Sequence, residues 1–477
     1  MKRLSLAVVI FGIFISYPQA QNMKLLKEYE PKLNDIRHWL NKTSQGVFNF
    51  WKTKAAVNNA IDGFFGDIDL NGNSTKGYNR NSIQQARQLW AFSTWYLYND
   101  KSDDIDDIKE ICFNQYKYLI KTFYDPAGKE FFLYEGDKIS GNKGRRLYNT
   151  SFCIYAAAQY YITFKDNSDE EVKNSSFDAL IKSMKCFIAM DQRCHDSEYL
   201  GYQQIPTGKL AFNEQQLDGG DKENNTHIHI LEALTTLYKA YKDGGSDYIS
   251  KIIPGQISEN EKVYLSKNIR KRLNEMLVDV VAKKFCTERN GFAFIRRKFD
   301  RKWNLEDNST FSFAHDIETS WLMIEAMRVL GKDCSDPALI RKLAIEMIRN
   351  VYEHGMEKVG NGYACIALGN ISDLSISDYS KDFWQHFEAI LGLYTGARLS
   401  SDPVEQNKYI NRINDIFVYL DLTVNKGGLK VTLSDNMWEY AYRNVLGNEW
   451  KAGYHDLRSM IYAQKWIGED ISVDSNK

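Results

Sequence analysis

Residues 314–331 read AHDIETSWLMIEAMRVLG, and apolar side chains recur in this stretch every three to four positions. That spacing predicts an amphipathic helix. Six other stretches share the spacing and are bracketed by Gly, Asn or Asp, and two loops between them alternate apolar and polar residues as small hairpins do. The helical stretches are residues 83–98, 147–165, 226–241, 337–353, 381–396 and 404–420, and the loops are residues 62–79 and 291–309.

The alternation of helices and loops continues without a low-complexity linker or a shift in composition. Roughly a dozen helices in one domain favour a closed toroid of helix pairs over a four-helix bundle. We therefore predict an all-α fold in which residues 21–477 form one domain. The loops at one end of such a toroid would build the ligand cleft.

The composition limits the classes of ligand. The 477 residues carry 61 Lys+Arg and 62 Asp+Glu, a net charge of −1, so no nucleic-acid partner is expected. The 29 Tyr, 25 Phe and 10 Trp suit either a sugar ligand or a bulky core. The motifs GxGxxG, GxxxxGK(S/T), GxSxG and HExxH are absent from the sequence, so nucleotide, acyl-transfer and zinc-protease functions lack motif support.

The chain begins MKRLSLAVVIFGIFISYPQAQN. The basic residues Lys2 and Arg3, the apolar residues 4–15 and the small residue Ala20 form the pattern of a secretory signal peptide. We predict that residues 1–20 are removed near Ala20 and that the protein is exported, to the periplasm or beyond. No second apolar run is long enough to span a membrane, so no membrane contact is expected after cleavage.

The seven cysteines are odd in number and form no CxxC pair. This does not resemble the disulfide framework of a secreted protein. A Cys186–Cys194 pair is one alternative, but buried free thiols are the preferred interpretation.

His315 and Glu318 are three residues apart and share a helix face, so the carboxylate can raise the basicity of the imidazole or hold its ring. Trp321 lies near the same stripe and is a candidate for stacking on a sugar ring. The alternative is a surface ion pair beside a core Trp, and the spacing alone does not choose between them.

His229 shares a helix face with Asn225 and Glu232, which would orient its ring toward a cleft. The alternative, a polar residue lining a helix start, is favoured by spacing alone. His227 lies about 200° from His229 around the helix, so the two do not easily share a metal ion.

Two further stretches pair an aromatic or basic residue with a partner one turn away. Trp384 and Glu388 would form an aromatic platform beside a hydrogen-bond acceptor, with amphipathic packing as the slightly favoured alternative. His386 points elsewhere, either behind the site or to the surface. His455 and Arg458 would be a base and a cationic anchor for substrate hydroxyls, or a helix start without chemistry.

The segment AHDIETSW is close to HDIEASW, a motif of the N-acylglucosamine 2-epimerase superfamily. Most of the mature chain resembles this superfamily, and within it the cellobiose 2-epimerase branch. The resemblance implies an (α/α)6 barrel. The other segments that follow in family order are FFGDIDLNG (64–72), ARQLWAFS (86–93), LYNTSFCIYA (147–156), NTHIHILEA (225–233), FDRKWN (299–304), FWQHFEA (383–389) and YHDLR (454–458).

The resemblance implies inversion of C2 in the reducing-end sugar of a β-1,4-linked disaccharide such as cellobiose or mannobiose. His315 and His455 would be the paired acid/base residues, with His229 assisting ring opening or proton handling. The remaining residues would hold hydroxyls, orient the histidines, cradle the sugars or accept hydrogen bonds. They are Arg87, Tyr148, Asn225, Glu232, Glu318, Trp321, Trp384, Glu388 and Arg458.

This chemistry suits histidine. Removing the C2 proton beside an open-chain C1 carbonyl gives a planar enediolate, and inversion needs a proton delivered to the opposite face. An imidazole with an ordinary pKa of ~6.5 can serve either way near neutral pH. The reaction needs no metal or other cofactor, and we expect a monomer with a di- or oligosaccharide as its only partner.

Other functions remain open at this point. An aldose–ketose isomerase needs one base only; a glycoside hydrolase or lyase would use a carboxylate such as Asp67 or Asp69; a non-catalytic relative would only bind sugar. The sequence also departs from the family pattern. Lys451-Ala452-Gly453 stands where Cys-Pro usually precedes Tyr-His, Asp456 replaces Asn, and FWQHFE replaces WWVQAE.

Overall fold

The computed structural model describes residues 27–76, 80–99, 102–135, 146–203, 222–251, 256–305, 309–422, 430–434, 436–442 and 444–475. The predicted signal peptide lies outside the described residues. Among the helices in the described ranges, none is both long enough and apolar enough to cross a bilayer.

The described part of the chain is mainly helical. Short 3-10 or π-helical segments extend several helices, the longest being the π-helical segment Glu275–Phe285. The α-helices are α1 (Glu30–Phe50), α2 (Ser82–Tyr98), α3 (Ile105–Phe123), α4 (Leu147–Phe164), α5 (Glu170–Cys194), α6 (Asn224–Ala240), α7 (Ser246–Lys251), α8 (Glu259–Asn274), α9 (Phe313–Leu330), α10 (Pro337–His354), α11 (Phe383–Leu399), α12 (Pro403–Leu422) and α13 (His455–Ser475).

Six of these helices form a closed inner ring. Helices α2, α4, α6, α9, α11 and α13 each contact the next, and α13 closes the ring against α2. Helices α1, α3, α5, α8, α10 and α12 pack outside them, so the chain alternates between outer and inner layers. This arrangement confirms the predicted (α/α)6 toroid.

Short antiparallel strands occupy the connections from an outer helix to the next inner helix, which confirms the predicted hairpin-bearing loops at one end. They pair as β1 with β2, β3 with β4, β5 with β8, β6 with β7, β10 with β11 and β14 with β15, and β12 lies between β9 and β13. The strands are β1 (Asp67–Ile68), β2 (Ser74–Lys76), β3 (Tyr124–Asp125), β4 (Glu130–Phe131), β5 (Lys222–Glu223), β6 (Cys286–Arg289), β7 (Phe292–Ile295), β8 (Lys298–Phe299), β9 (Thr310–Ser312), β10 (Met356–Val359), β11 (Gly362–Cys365), β12 (Leu368–Asn370), β13 (Ile376–Asp378), β14 (Lys430–Ser434) and β15 (Met437–Tyr440).

The inner helices are buried on nearly all sides, and several start at a side-chain cap. Asn81 accepts a hydrogen bond from the Gln84 N–H at the start of α2, and Ser312 accepts one from the His315 N–H at the start of α9. Such caps satisfy backbone donors that a helix start leaves free. They fix where α2 and α9 begin, and Arg87 and His315 of the candidate site lie in the first two turns of these helices.

All seven cysteines are free thiols, and six of them are buried. The preferred interpretation from the sequence is therefore confirmed, and the alternative Cys186–Cys194 disulfide is not formed.

Candidate active site

An open cleft of about 170 Å³ lies at the N-terminal ends of the inner helices. Eight of the twelve residues predicted for the site line it, and the other four lie in the layer beneath. The lining residues are Arg87, Tyr148, Asn225, His229, His315, Glu318, Phe383, Trp384, Tyr442, Trp450, Lys451 and His455.

The two histidines predicted as an acid/base pair lie against the same indole. The Trp384 ring centre is 5.1 Å from that of His315 and 5.4 Å from that of His455. The two imidazoles come from different helices, α9 and α13. A flat ligand stacked on Trp384 would therefore meet both.

Arg458 is fully buried beneath this pair and bonds three carboxylates. Its Nη2 donates to Glu318 Oε1 at 2.5 Å and to Glu388 Oε1 at 2.7 Å, and its Nη1 donates to Glu232 Oε1. The sequence predicted that Arg458 either binds substrate hydroxyls or orients neighbouring side chains. The buried position favours the second, because the guanidinium binds the carboxylates that hold two of the histidines.

His455 is held by one of those carboxylates. Its Nδ1 is 2.7 Å from Glu388 Oε1 and 4.0 Å from Glu318 Oε1, and 13% of the side chain remains exposed. Since Nδ1 is occupied, Nε2 is the nitrogen available to a ligand. Burial lowers the pKa of His455 well below 6.5, against an opposing effect of Glu318.

His229 is held in the same way. Its Nδ1 is 3.1 Å from Glu232 Oε2, which also accepts a hydrogen bond from the Tyr454 hydroxyl at 2.6 Å. Burial alone would raise the pKa of Glu232, but Arg458, His229 and Tyr454 outweigh it and lower that pKa to about 2. The carboxylate is therefore charged at neutral pH and can orient the ring, as the shared helix face predicted.

His315 differs from the expectation in its partner. Glu318 Oε1 accepts a hydrogen bond from Arg458 Nη2 at 2.5 Å, and Glu318 acts on His315 through its charge. Burial lowers the pKa of His315 to about 4, and Glu318 opposes this shift. The imidazole is therefore neutral at physiological pH and can accept a proton.

Trp321 does not line the cleft, so the prediction that it stacks on a sugar is not supported by its position. The side chain is 1% exposed, and its Nε1 donates to Glu388 Oε2 at 2.9 Å. It lies 4.7 Å from the Arg458 guanidinium. Trp321 thus holds the carboxylate that in turn holds His455.

The wall opposite α11 is formed by Arg87, Tyr148 and Asn225. Arg87 donates through Nη2 to the Tyr148 hydroxyl at 3.0 Å and through Nη1 to the Trp450 carbonyl at 2.5 Å. The Asn225 Oδ1 is buried without a hydrogen-bond partner among the described residues. An unsatisfied acceptor beside a cleft suits a ligand hydroxyl.

Sequence reasoning gave no role to Trp450, although it lies in the stretch that was singled out around His455. The structure places its indole at the cleft rim, 38% exposed, with its ring centre 6.3 Å from that of Tyr148. Tyr442 and Phe383 line the cleft as well. An exposed Trp close to a sequence motif is a signal that could have been used.

The departures from the family pattern are accommodated locally. His386 is fully buried behind the site, with Nδ1 3.0 Å from the Asp382 carbonyl and its ring stacked on Tyr419. A Cβ at Gly453 would lie 2.8 Å from Trp51, so the missing side chain allows this close approach.

Three potential metal ligands, from Glu318, Glu388 and His455, lie within 4.8 Å of one another. Their fit to a metal is poor, because Arg458 already bonds both carboxylates. Asp69 lies outside the cleft lining and uses Oδ1 to accept the Asn71 and Asn73 N–H groups within its own hairpin. The position of Asp69 therefore gives no support to a carboxylate-based hydrolase.

Known proteins resemble this chain over most of its length. The chain is 23% identical over 439 residues to a cellobiose 2-epimerase of Dictyoglomus turgidum, covering 88% of this chain and 96% of that relative. The structure of cellobiose 2-epimerase from Bacillus thermoamylovorans B4167 matches with a TM-score of 0.69 and 20% identity, over 91% of this chain and 99% of the other. A D-mannose isomerase matches with a TM-score of 0.64 and 14% identity, over 91% and 97%.

These structural likenesses establish the fold. The family itself is established by the sequence, since residues 63–426 match N-acylglucosamine 2-epimerase (GlcNAc 2-epimerase). That match contains every predicted site residue except His455 and Arg458, which follow on α13. This protein belongs to the N-acylglucosamine 2-epimerase family.

Proposed function

We propose that the protein inverts C2 in the reducing-end sugar of a β-1,4-linked disaccharide of the cellobiose or mannobiose type. The observation that carries the proposal is the placement of His315 and His455, from two helices, against the single indole of Trp384. One imidazole takes the C2 proton and the other returns a proton to the opposite face of the enediolate.

The electrostatics support this pair. Burial lowers the pKa of both imidazoles, so each is available as a neutral base. Inversion also requires a protonated partner, and a charged ring in a buried place needs compensation. The Glu388 carboxylate, 2.7 Å from His455 Nδ1, can supply it, while Arg87 at the cleft wall can stabilise charge that develops on O1.

The size of the cleft bears on the substrate. At about 170 Å³ it is smaller than the ~300–1,000 Å³ typical of drug-sized sites, so we propose that it encloses one sugar unit. A second unit would extend past the rim, where Trp450 offers an exposed flat face. Trp384 would then contact the reacting sugar unit, and Trp450 would contact the neighbouring unit.

Incubation of the purified protein with cellobiose in deuterated water tests the proposal. We expect glucosylmannose that carries deuterium at C2, detected by NMR, because the departing proton exchanges on the imidazole. Cellobiose that remains unchanged, or an epimer without deuterium, contradicts two-histidine exchange. A protein-free incubation at the same pH controls for slow chemical epimerisation.

The same experiment addresses an aldose–ketose isomerase, which needs one base to move a proton from C2 to C1. A ketose as the main product would favour that activity over epimerisation. Because Arg458 occupies the candidate metal ligands, we propose that either reaction proceeds without a metal, and turnover that survives dialysis against a chelator would agree.

We also propose that the chain works outside the cytoplasm as a monomer. The basic start and apolar run of residues 1–20 support export. The N-terminal sequence of the protein recovered from the periplasm tests this, and a start near Gln21 is expected. Sedimentation of the same material measures its oligomeric state.

A further inference from the structure

A cluster of three ionisable side chains, of which Lys451 also lines the cleft, takes no part in the chemistry described above. It consists of Glu439 on β15, Lys451 on the cleft loop and Asp456 in the first turn of α13, and none of the three side chains is exposed. The Lys451 Nζ is 3.0 Å from Glu439 Oε1 and 3.6 Å from Asp456 Oδ2.

The charges of this cluster do not balance if every member is ionised, because two carboxylates face one ammonium. A net charge in a buried place is strongly unfavourable, and a buried carboxyl group resolves it by keeping its proton. Glu439 Oε2 and Asp456 Oδ2 both lack a hydrogen-bond partner among the described residues. Glu439 Oε2 is therefore a place for the missing proton.

The other cations on these elements already have partners: Lys430, opposite Tyr440 in the β14–β15 hairpin, lies 3.7 Å from Asp421 Oδ1, and Arg458 on α13 binds the three carboxylates beneath the cleft. The Nζ of Lys451 lies 3.9 Å from the ring centre of Phe383 and 5.7 Å from that of Trp51. Tyr440 faces the cluster from β15, and the charges of Glu439, Asp456 and, from α12, Asp421 raise the pKa of its buried hydroxyl in addition to burial. On α13 the neighbouring ionisable group is His455, whose ring is turned to Glu388.

We propose that Glu439 keeps a proton at neutral pH, and that the cluster, neutral as a result, holds the start of α13, and with it His455, in its working position. Asp456 also fixes the helix start directly, since its Oδ1 accepts the Leu457 N–H at 2.8 Å. Asp456 is thus a positioning residue for His455. The catalytic half of this inference rests on the proposed function, whereas the stored proton on Glu439 does not.

The raised pKa of Glu439 predicts how the stability of the protein changes with pH. Burial raises the pKa of Glu439 well above 4.5, with Lys451 opposing and Asp456 reinforcing the shift. The folded protein then holds a proton that the unfolded chain has released, so stability falls as pH rises from 4.5 through the folded-state pKa. Above that pKa, repulsion between the carboxylates would displace the first turn of α13.

Variants that change the number of charges in the cluster test the stored proton. Asp456→Asn and Glu439→Gln each leave one carboxylate for one ammonium, so both single variants are balanced without a stored proton. The double variant leaves Lys451 alone in a buried place, and the neighbouring Asp421→Asn, on a half-exposed residue, is the matched control. We expect the double variant to be less stable than the sum of the two single changes predicts.

Infrared difference spectra at pH 7 report the proton itself. We expect a protonated-carboxyl band in the wild type that both single variants lose, while the bands of other buried carboxyl groups cancel in the difference. The unfolding midpoint of the wild type should fall between pH 6 and pH 9 more than that of Asp456→Asn. A band that persists in both variants, or pH slopes that are parallel, would overturn the stored proton on Glu439.

Measurements of activity test the second claim, that Asp456 positions His455. The alkaline limb of the kcat/KM profile should move to higher pH in Asp456→Asn, which a purely structural role would not produce. An unchanged limb in an active enzyme refutes the positioning role. If the wild type turns over no sugar, the infrared and unfolding measurements still decide whether Glu439 stores a proton, so failure of the proposed function is seen separately.

Discussion

Histidines on the two faces of one inner helix, α6, have different hydrogen-bond partners. On α6, His229 faces the cleft and bonds the side chain of Glu232 at 3.1 Å. His227, two residues earlier, faces the outer layer, where its Nε2 accepts the Tyr202 N–H at 3.0 Å and its Nδ1 is 2.6 Å from the Glu223 carbonyl. The cleft face offers a carboxylate, and the outer face offers only backbone.

Helix α11 repeats the contrast. Trp384 faces the cleft, while His386 faces outward with its Nδ1 on the Asp382 carbonyl and its ring stacked on Tyr419. Burial lowers the pKa of His227 and of His386 to about 4, and no carboxylate raises it. The outer histidines are therefore locked neutral, whereas the cleft histidines have partners that can balance a proton.

The largest effect is expected from replacing His315 or His455 with Asn. Each variant removes one of the two proton-transfer groups, so C2 exchange should fall by about 10²–10⁴-fold, the usual contribution of general acid–base catalysis. Deuterium incorporation into cellobiose measures the rate, and circular dichroism verifies the fold. A comparable loss in His386→Asn would break the contrast between the two faces.

The next effect concerns the charges beneath the cleft. Arg458→Met would leave Glu232, Glu318 and Glu388 buried without their shared cation, which should lower the free energy of unfolding by about 3–5 kcal/mol. Urea unfolding at neutral pH measures this, and Arg349→Met, which breaks a half-exposed ion pair with Glu405, is the control. Equal stability of the Arg458 variant and the wild type would mean that the cleft face does not depend on charge balance.

Five of the six inner helices, α2, α4, α6, α9 and α11, were predictable because they are apolar over most of their surface. The predicted stretch 314–331, for example, is α9 at Phe313–Leu330. The outer helix α8 was not identified, because only Leu265, Ile269 and Leu273 form its buried stripe and the rest is polar. A stripe that narrow does not stand out against a charged background.

The site was predictable as a set of residues but less so as a set of contacts. Spacing along one helix suggested that Glu318 serves His315, yet the hydrogen bond of Glu318 comes from Arg458 on another helix. Trp321 and Trp384 looked equivalent in sequence. Trp384 is the second residue of α11, whereas Trp321 lies eight residues into α9, about 12 Å down the axis at 1.5 Å per residue, and is therefore beneath the cleft.

The smallest effect is expected for His386, on the outer face of α11. It concerns how the free energy of unfolding changes as the pH is lowered. The pKa of His386 is about 4 in the folded protein and 6.5 in the unfolded chain, so the unfolded chain binds more protons between these values. The contribution of the neutral His386 to stability is fully present above pH 6.5 and is lost as pH falls toward 4. The difference between the two pKa values, 6.5 and about 4, corresponds to a loss of about 3 kcal/mol in the free energy of unfolding when the pH has fallen to 4.

His386→Asn should reduce this acid sensitivity. The Asn amide can still donate to the Asp382 carbonyl, while the group that must take up a proton on unfolding is gone. Smaller packing against Tyr419 will lower stability at every pH, so the quantity to compare is the loss between pH 7 and pH 4.5, measured by urea unfolding. The exposed His38, replaced by Asn, is the control, since this change also removes one histidine but opens no space in the buried core. Equal slopes in His386→Asn and the wild type would show that the buried ring takes up its proton while the protein remains folded, and the outer face would then resemble the cleft face after all.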